Sequence, residues 1–122
     1  MQLVVASEAQ KRARDALTFA AWGTRLDPGA FARREARLRA HPFARAGMAT
    51  WLWTDASGSV LASCETFRMR SLAGGVPGAS FGVASVFTEE RLRGRGHAAA
   101  MMRALCARLE ADAGAQAAIL FS

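Results

Sequence analysis

The sequence predicts an α/β (α+β) fold: one domain with a mixed, mostly antiparallel sheet flanked by helices on both faces. Three observations carry that expectation. Short segments rich in β-branched and aromatic residues, at 48–53, 59–69 and 81–87, alternate with period two and are separated by turn residues. Segments at 8–22, 28–40 and 97–113 repeat their apolar residues at helical spacing. The C-terminal part then runs strand, helix, strand, an order that pairs its two strands in parallel. At 122 residues the chain is long enough for one core and too short for two.

Taken in order, Gln2 to Ala6 is a short β-branched run and the first strand. Ser7 caps the following helix, and Gln10 three residues on completes a capping box. Ala13, Ala16, Leu17, Ala20 and Ala21 share one face of that helix and form the expected buried stripe, with Lys11, Arg14 and Asp15 away from it. Trp22-Gly23 ends the helix, with glycine as a left-handed terminator. Asp27-Pro28 starts the second helix with an N-cap and a first-turn proline. Its arginines, Arg33, Arg34, Arg37 and Arg39, leave Phe31 and Leu38 as a thin apolar side, and His41-Pro42 stops it, His41 reading as a capping or surface residue and not as a catalytic base.

Met48 to Trp53 alternates as a strand with Trp51 and Trp53 on one face, Asp55 to Gly58 is turn chemistry, and Ser59 to Met69 is the partner strand. On that second strand Leu61, Ser63, Glu65, Phe67 and Met69 share a face. A carboxylate among apolar neighbours has its pKa raised, which makes Glu65 the candidate general base. The glycine-rich run Ser71 to Ser80 reads as a loop, and Phe81 to Phe87 as the central strand, with a bulge expected at Gly82. The last helix, His97 to Ala113, presents Ala98, Met101, Met102, Leu105 and Leu109 on one face and closes at Gly114, and Ala117 to Phe121 is the final strand.

Between the central strand and that helix lies Arg93-Gly94-Arg95-Gly96-His97-Ala98. Glycine permits positive φ and close approach of a ligand to the backbone. The first amides of a helix have no intrahelical partner, and its dipole favours negative charge there. A strand, a turn of exposed amides and a helix start together make an anion site, most often for phosphate.

Arg93-x-x-Gly96-x-Ala98 resembles the signature of the GNAT family of N-acetyltransferases: Gln or Arg, two residues, Gly, one residue, then Gly or Ala. The resemblance implies the acyl-CoA N-acyltransferase (GNAT) fold. It further implies that the backbone of Arg93, Gly94, Arg95, Gly96, His97 and Ala98 holds the pyrophosphate of acetyl-CoA, the cosubstrate. By position, the backbone at Ser85 and Val86 takes the pantetheine arm. The acceptor wall falls to the first two helices, and the acceptor is a lysine or another small amine. Two departures stand out. Six residues, Phe87 to Leu92, separate the last strand valine from the arginine, so either the turn is longer or the strand ends later. The chain also has no tyrosine, the residue the family uses to protonate the departing thiolate, and it lacks the family's closing helix and strands. The domain, 1–122, is therefore expected to be truncated at its C-terminal end, as a piece of a longer acetyltransferase or as a short version completed by a partner. Its uncovered last strand points to a homodimer, and the short chain alone is expected to transfer poorly.

The formal charge is +6, and fifteen of the sixteen basic residues are arginine. They are spread along the chain without interleaved aromatic platforms, which argues against a nucleic-acid partner. No apolar run is long enough to span a bilayer, the N-terminus lacks a signal-peptide pattern, and no metal is expected. Cys64 and Cys106 sit in apolar periodic segments and read as buried free thiols of a cytoplasmic protein, with a disulfide or a nucleophile as the alternatives. A phosphate-binding P-loop would need lysine and a hydroxyl where Gly96-His97-Ala98 stands, and a dinucleotide fold would need a third glycine and an acid closing the second strand. The remaining alternative is a non-catalytic acyl-CoA-binding or interaction module.

Overall fold

A computed structural model describes residues 1–120 of the chain. Its elements run β1 (Gln2–Val5), α1 (Glu8–Trp22), α2 (Pro28–Ala40), α3 (Pro42–Gly47), β2 (Met48–Thr54), β3 (Val60–Ala73), β4 (Val76–Phe87), α4 (His97–Ala113) and β5 (Ala118–Leu120), with a 3₁₀ turn at Glu90–Leu92. The five strands lie in sequence order. β1 to β4 pair antiparallel and β5 joins β4 in parallel, through Phe81↔Ala118, Gly82↔Ile119 and Val83↔Leu120. Phe121, assigned to the last strand from sequence, lies outside the described residues.

The two faces of the sheet are covered by different chemistry. On one face Trp51, Ala62, Cys64, Phe81 and Val83 pack against Met101, Leu105 and Leu109 of α4 in a single apolar cluster, as the helical stripe predicts. Trp51 Nε1 donates to Thr66 Oγ1, so the buried indole nitrogen is satisfied. Burial pushes the Cys64 thiol up to about 12, which leaves it inert. Cys106, expected inside, is exposed.

The opposite face carries α1, in a different rotation from the expected one. Its capping box forms as read, Ser7 Oγ accepting from Gln10 N–H and Gln10 Oε1 accepting from Ser7 N–H. The side turned inward, however, is Arg14, Asp15 and Thr18, while the alanine–leucine stripe faces out and Leu17 is 46% exposed. Partners on the sheet and on α2 decide the matter. Asp15 accepts two hydrogen bonds from Arg39 of α2, both 2.8 Å, a fork that ties the helices together. Phe31, not Leu38, is the buried apolar residue of α2, packed on Phe19 at 5.7 Å. His41 does cap: its Nδ1 accepts from Phe43 N–H at the start of α3, a helix absent from the sequence reading.

Two further expectations change. The segment 71–80 is not a loop: β3 and β4 continue as a long hairpin through Leu72↔Pro77 and Ala73↔Val76. Gly74 (φ 55°) and Gly75 (φ 79°) form its two-residue turn, the type that positive φ at both positions permits. The bulge in β4 is not at Gly82 either. Ser63 faces Phe87 and Glu65 faces Ala84, so the extra residue lies between, where Ser85 adopts φ 53°.

Gly23, expected in the left-handed region, has φ −115° and is glycine for another reason. An added Cβ would meet the Phe31 ring at 2.6 Å and the Phe19 ring at 2.7 Å. Gly23→Ala therefore overpacks the α1–α2 contact and is expected to lower stability by about 1–3 kcal/mol in urea unfolding. A change below about 0.5 kcal/mol, the range of ordinary surface substitutions, would mean that this contact is slack.

Candidate active site

The extra residue in β4 shapes the site. In a regular strand residues alternate faces, so Val83 and Val86 would point to opposite sides. With Ser85 inserted, both face α4, and Val86 packs against the apolar cluster. Phe87 turns to the α1 side, edge-on to Trp22 at 5.7 Å. A cleft of about 660 Å³ opens beside the bulge, lined by Trp22, Ser85, Val86, Ala98, Ala99, Met102 and Leu120. That volume is within the usual range of ligand sites.

The start of α4 forms one end of this cleft. Its N-cap, Gly96, has φ 79° and so offers no side chain to cap the helix, and the first turn contains no acid. Gly94 is also left-handed, at φ 75°. Among the described residues the N–H groups from Gly94 to Ala99 have no acceptor. Six orphan amides at the positive end of a seventeen-residue helix make an anion cradle. Arg93 Nε donates to Thr88 O at 2.9 Å, which anchors the turn, and Arg95 is exposed. The six residues between the strand and the arginine resolve into a strand end at Phe87, as read, and a longer turn: Glu90–Leu92 is a 3₁₀ segment with Leu92 buried.

Of the residues singled out from sequence, Ser85, Val86 and Ala98 meet at the cleft, and Arg93, Gly94, Arg95, Gly96 and His97 form the connection that enters α4. Glu65 is next to the cleft, against Ser85, but not in its lining. It is 8% exposed on the α1 side of β3 and has a cation for a neighbour where apolar side chains were expected. Arg14, 6% exposed, donates from Nη1 to Glu65 Oε1 (2.8 Å), from Nε to Ser63 Oγ (2.7 Å) and from Nη2 to the main-chain carbonyl of Ser85. Burial raises the Glu65 carboxyl above the ordinary range, and the Arg14 guanidinium pulls it back by less.

Arg14 and Trp22 are the site residues that the sequence reading passed over. A signal for Arg14 existed: Ser63 and Glu65 on one face of a buried strand require a polar partner, and a helix that offers Arg14, Asp15 and Thr18 on one side supplies it. The arginines of the second helix divide. Arg39 is held by Asp15 and Arg34 pairs with Glu35, while Arg33 and Arg37 line an outer groove with Leu26, Leu38 and His41. No helix among the described residues is long and apolar enough to cross a membrane.

Known structures share this architecture. An acetyltransferase from Trypanosoma brucei superposes with a TM-score of 0.71 at 21% identity, covering 99% of this chain and 82% of its own. A ribosomal-protein-alanine N-acetyltransferase from Brucella melitensis gives 0.73 at 12% identity, covering 100% and 80%. An aminoglycoside 6'-N-acetyltransferase from Acinetobacter haemolyticus gives 0.64 at 14%, covering 100% and 79%. No family model matches the chain, and no curated protein is similar enough in sequence to match. The fold is therefore the acyl-CoA N-acyltransferase (GNAT) fold, as the turn at Arg93 to Ala98 implied.

Removing one member of a buried ion pair leaves the other charged and without a counterion. Glu65→Ala is expected to destabilise the chain by about 3–5 kcal/mol in chemical unfolding, and Glu65→Gln, which keeps an acceptor for Arg14, by clearly less. Equal losses for the two variants would mean that the packing of the side chain matters and its bond to Arg14 does not.

Proposed function

We propose that this chain is an N-acetyltransferase that moves the acetyl group of acetyl-CoA to an amine, a lysine or another small amine. One observation carries the reading: a bulged strand and an uncapped helix start converge on one cleft, with backbone amides at one end and apolar walls along it. The fold shared with acetyltransferases supports it.

The site suits the proposed cosubstrate in three respects. The amides of Gly94 to Ala99 are placed to hold a pyrophosphate by hydrogen bonds and helix dipole. The backbone at Ser85 and Val86 is placed to take an extended amide-bearing arm as a sheet edge takes a strand. Trp22, Met102 and Leu120 supply apolar wall for the acyl arm. Acetyl-CoA supplies an activated thioester; the amine nitrogen forms a bond to its carbonyl carbon as the carbon–sulfur bond breaks. The ammonium proton passes to solvent and the sulfur leaves as the thiolate. The protein contributes alignment of amine and thioester, and a backbone N–H at Val86 directed to the carbonyl oxygen. Glu65 stands behind the cleft wall, so no proton is routed through it.

A second reading is favoured by one fact: the chain has no tyrosine to protonate the leaving sulfur. On that reading the chain binds acyl-CoA without turning it over.

Binding and turnover separate the two. Calorimetry is expected to show CoA binding more tightly than its phosphate-free pantetheine fragment, and thiol release with a panel of amines distinguishes an enzyme from a binder. Gly96→Glu sets a carboxylate beside the cradle and is expected to weaken CoA by at least about tenfold, or about 1.4 kcal/mol. Gly96→Ala carries the same backbone strain, with open space around its Cβ, and controls for it. Equal affinity for CoA and pantetheine would sink the pyrophosphate assignment.

A further inference from the structure

We infer that Arg14 is a positioning residue for acyl transfer: by gripping the Ser85 carbonyl it fixes the β4 bulge and aims the next amide, Val86 N–H, into the cleft. The inference rests on the acetyl-CoA reading above and extends it to a residue outside the cleft lining.

In regular pairing, main-chain carbonyls lie in the plane of the sheet and bond the neighbouring strand. At Ser85 the carbonyl instead accepts from Arg14, which reaches it from α1, so this peptide is turned out of the plane toward the α1 side. The peptide bonds of the described residues are trans. In a planar trans peptide the C=O and the following N–H point in opposite directions. A Ser85 carbonyl held toward α1 therefore directs Val86 N–H toward the other face, where Val86, Ala98 and Met102 border the cleft.

The bulge needs such a hold. Ser85 sits at φ 53°, a region serine seldom occupies, and such conformations persist only where the surroundings determine them. The planar guanidinium does this with three contacts at once. Ser63 and Glu65 on β3 locate it, and its remaining edge meets Ser85 on β4. It thereby sets the offset between the two strands at the residue where their register shifts. A lysine ammonium, a point charge without the fork, cannot satisfy all three in this arrangement. Glu65 then has a role without touching substrate: it holds Arg14 in place.

The test uses Arg14→Lys and the double variant Arg14→Lys/Ser85→Gly, because glycine adopts positive φ unaided. Arg14→Lys is expected to lose about 100-fold in kcat, as a small misplacement of a catalytic group does, and to weaken acetyl-CoA in calorimetry by far less than that factor, since the pyrophosphate cradle is untouched and only the contact of the arm with β4 shifts. Ser85→Gly in that background is expected to restore part of the lost kcat. The amide resonances of Ser85 and Val86 should move in Arg14→Lys and return toward wild type in the double variant. An unchanged kcat, or a loss that tracks the unfolded fraction and is not rescued, overturns the inference. Failure of the wild-type chain to bind acetyl-CoA overturns the functional reading instead. In that case unshifted Ser85 and Val86 amides in Arg14→Lys would show separately that Arg14 does not set the bulge.

Discussion

A guanidinium inserted between a helix and a sheet sets most of this architecture. Burying a charge is tolerable only with a counterion and filled hydrogen bonds, and Arg14 has Glu65, Ser63 and the Ser85 carbonyl. Meeting those partners requires α1 to turn its arginine side inward. Once it does, Asp15 also faces in and takes the Arg39 fork from α2, and Thr18 bonds back to the Arg14 carbonyl. The same rotation brings Trp22 at the helix end beside Phe87 and the cleft. It also leaves an alanine–leucine stripe in solvent, a modest loss because alanine carries little apolar surface. The helix is held on this face by directional bonds, whereas α4 on the other face is held by apolar area.

That division suits a site built from main chain. Both parts of the proposed site, the bulge and the helix start, present backbone groups, and their side chains matter chiefly where positive φ favours glycine, at Gly94 and Gly96. The geometry of those groups is not free. It is inherited from α4, fixed by Met101, Leu105 and Leu109, and from β4, fixed between α4 and the Arg14 network. Side chains far apart in sequence hold the local backbone that lines the cleft.

The same division explains what could be read in the sequence. Features governed by local chemistry were legible: the Ser7 capping box, the Asp27 cap with Pro28, the limits of α4 at His97 and Gly114, and the turn at Arg93 to Ala98. The parallel β4–β5 pair followed from the order of elements. The misreadings involve distant partners or rival local meanings. The inward face of α1 depends on β3, more than forty residues away in sequence, so periodicity alone pointed to the wrong side. Glycine and proline at 71–80 suggested a loop because composition does not distinguish a loop from a hairpin whose turn is Gly74-Gly75. The bulge was sought at a glycine, whereas long-range bonds hold it at a serine. Glu65 was placed on the correct face and given the wrong neighbours, because its partner was assumed to point outward.

The long hairpin between β3 and β4 bears on how the protein can change length over time. The Gly74-Gly75 turn sets the register of Ala73 against Val76, and a strip of paired residues carries that register down to Phe81 and Val83. Ser71, Ser80 and Gln116 lock the arms sideways to the segment before β5. Because side chains alternate with period two, an insertion or deletion in one arm alone would exchange the faces of everything below it. Additions that extend both arms equally would only lengthen the projecting tip, where Leu72 is already 73% exposed. Matched steps let the tip grow or shrink while the strand beneath it stays in phase, whereas a one-sided step needs a bulge such as the one at Ser85 to absorb it.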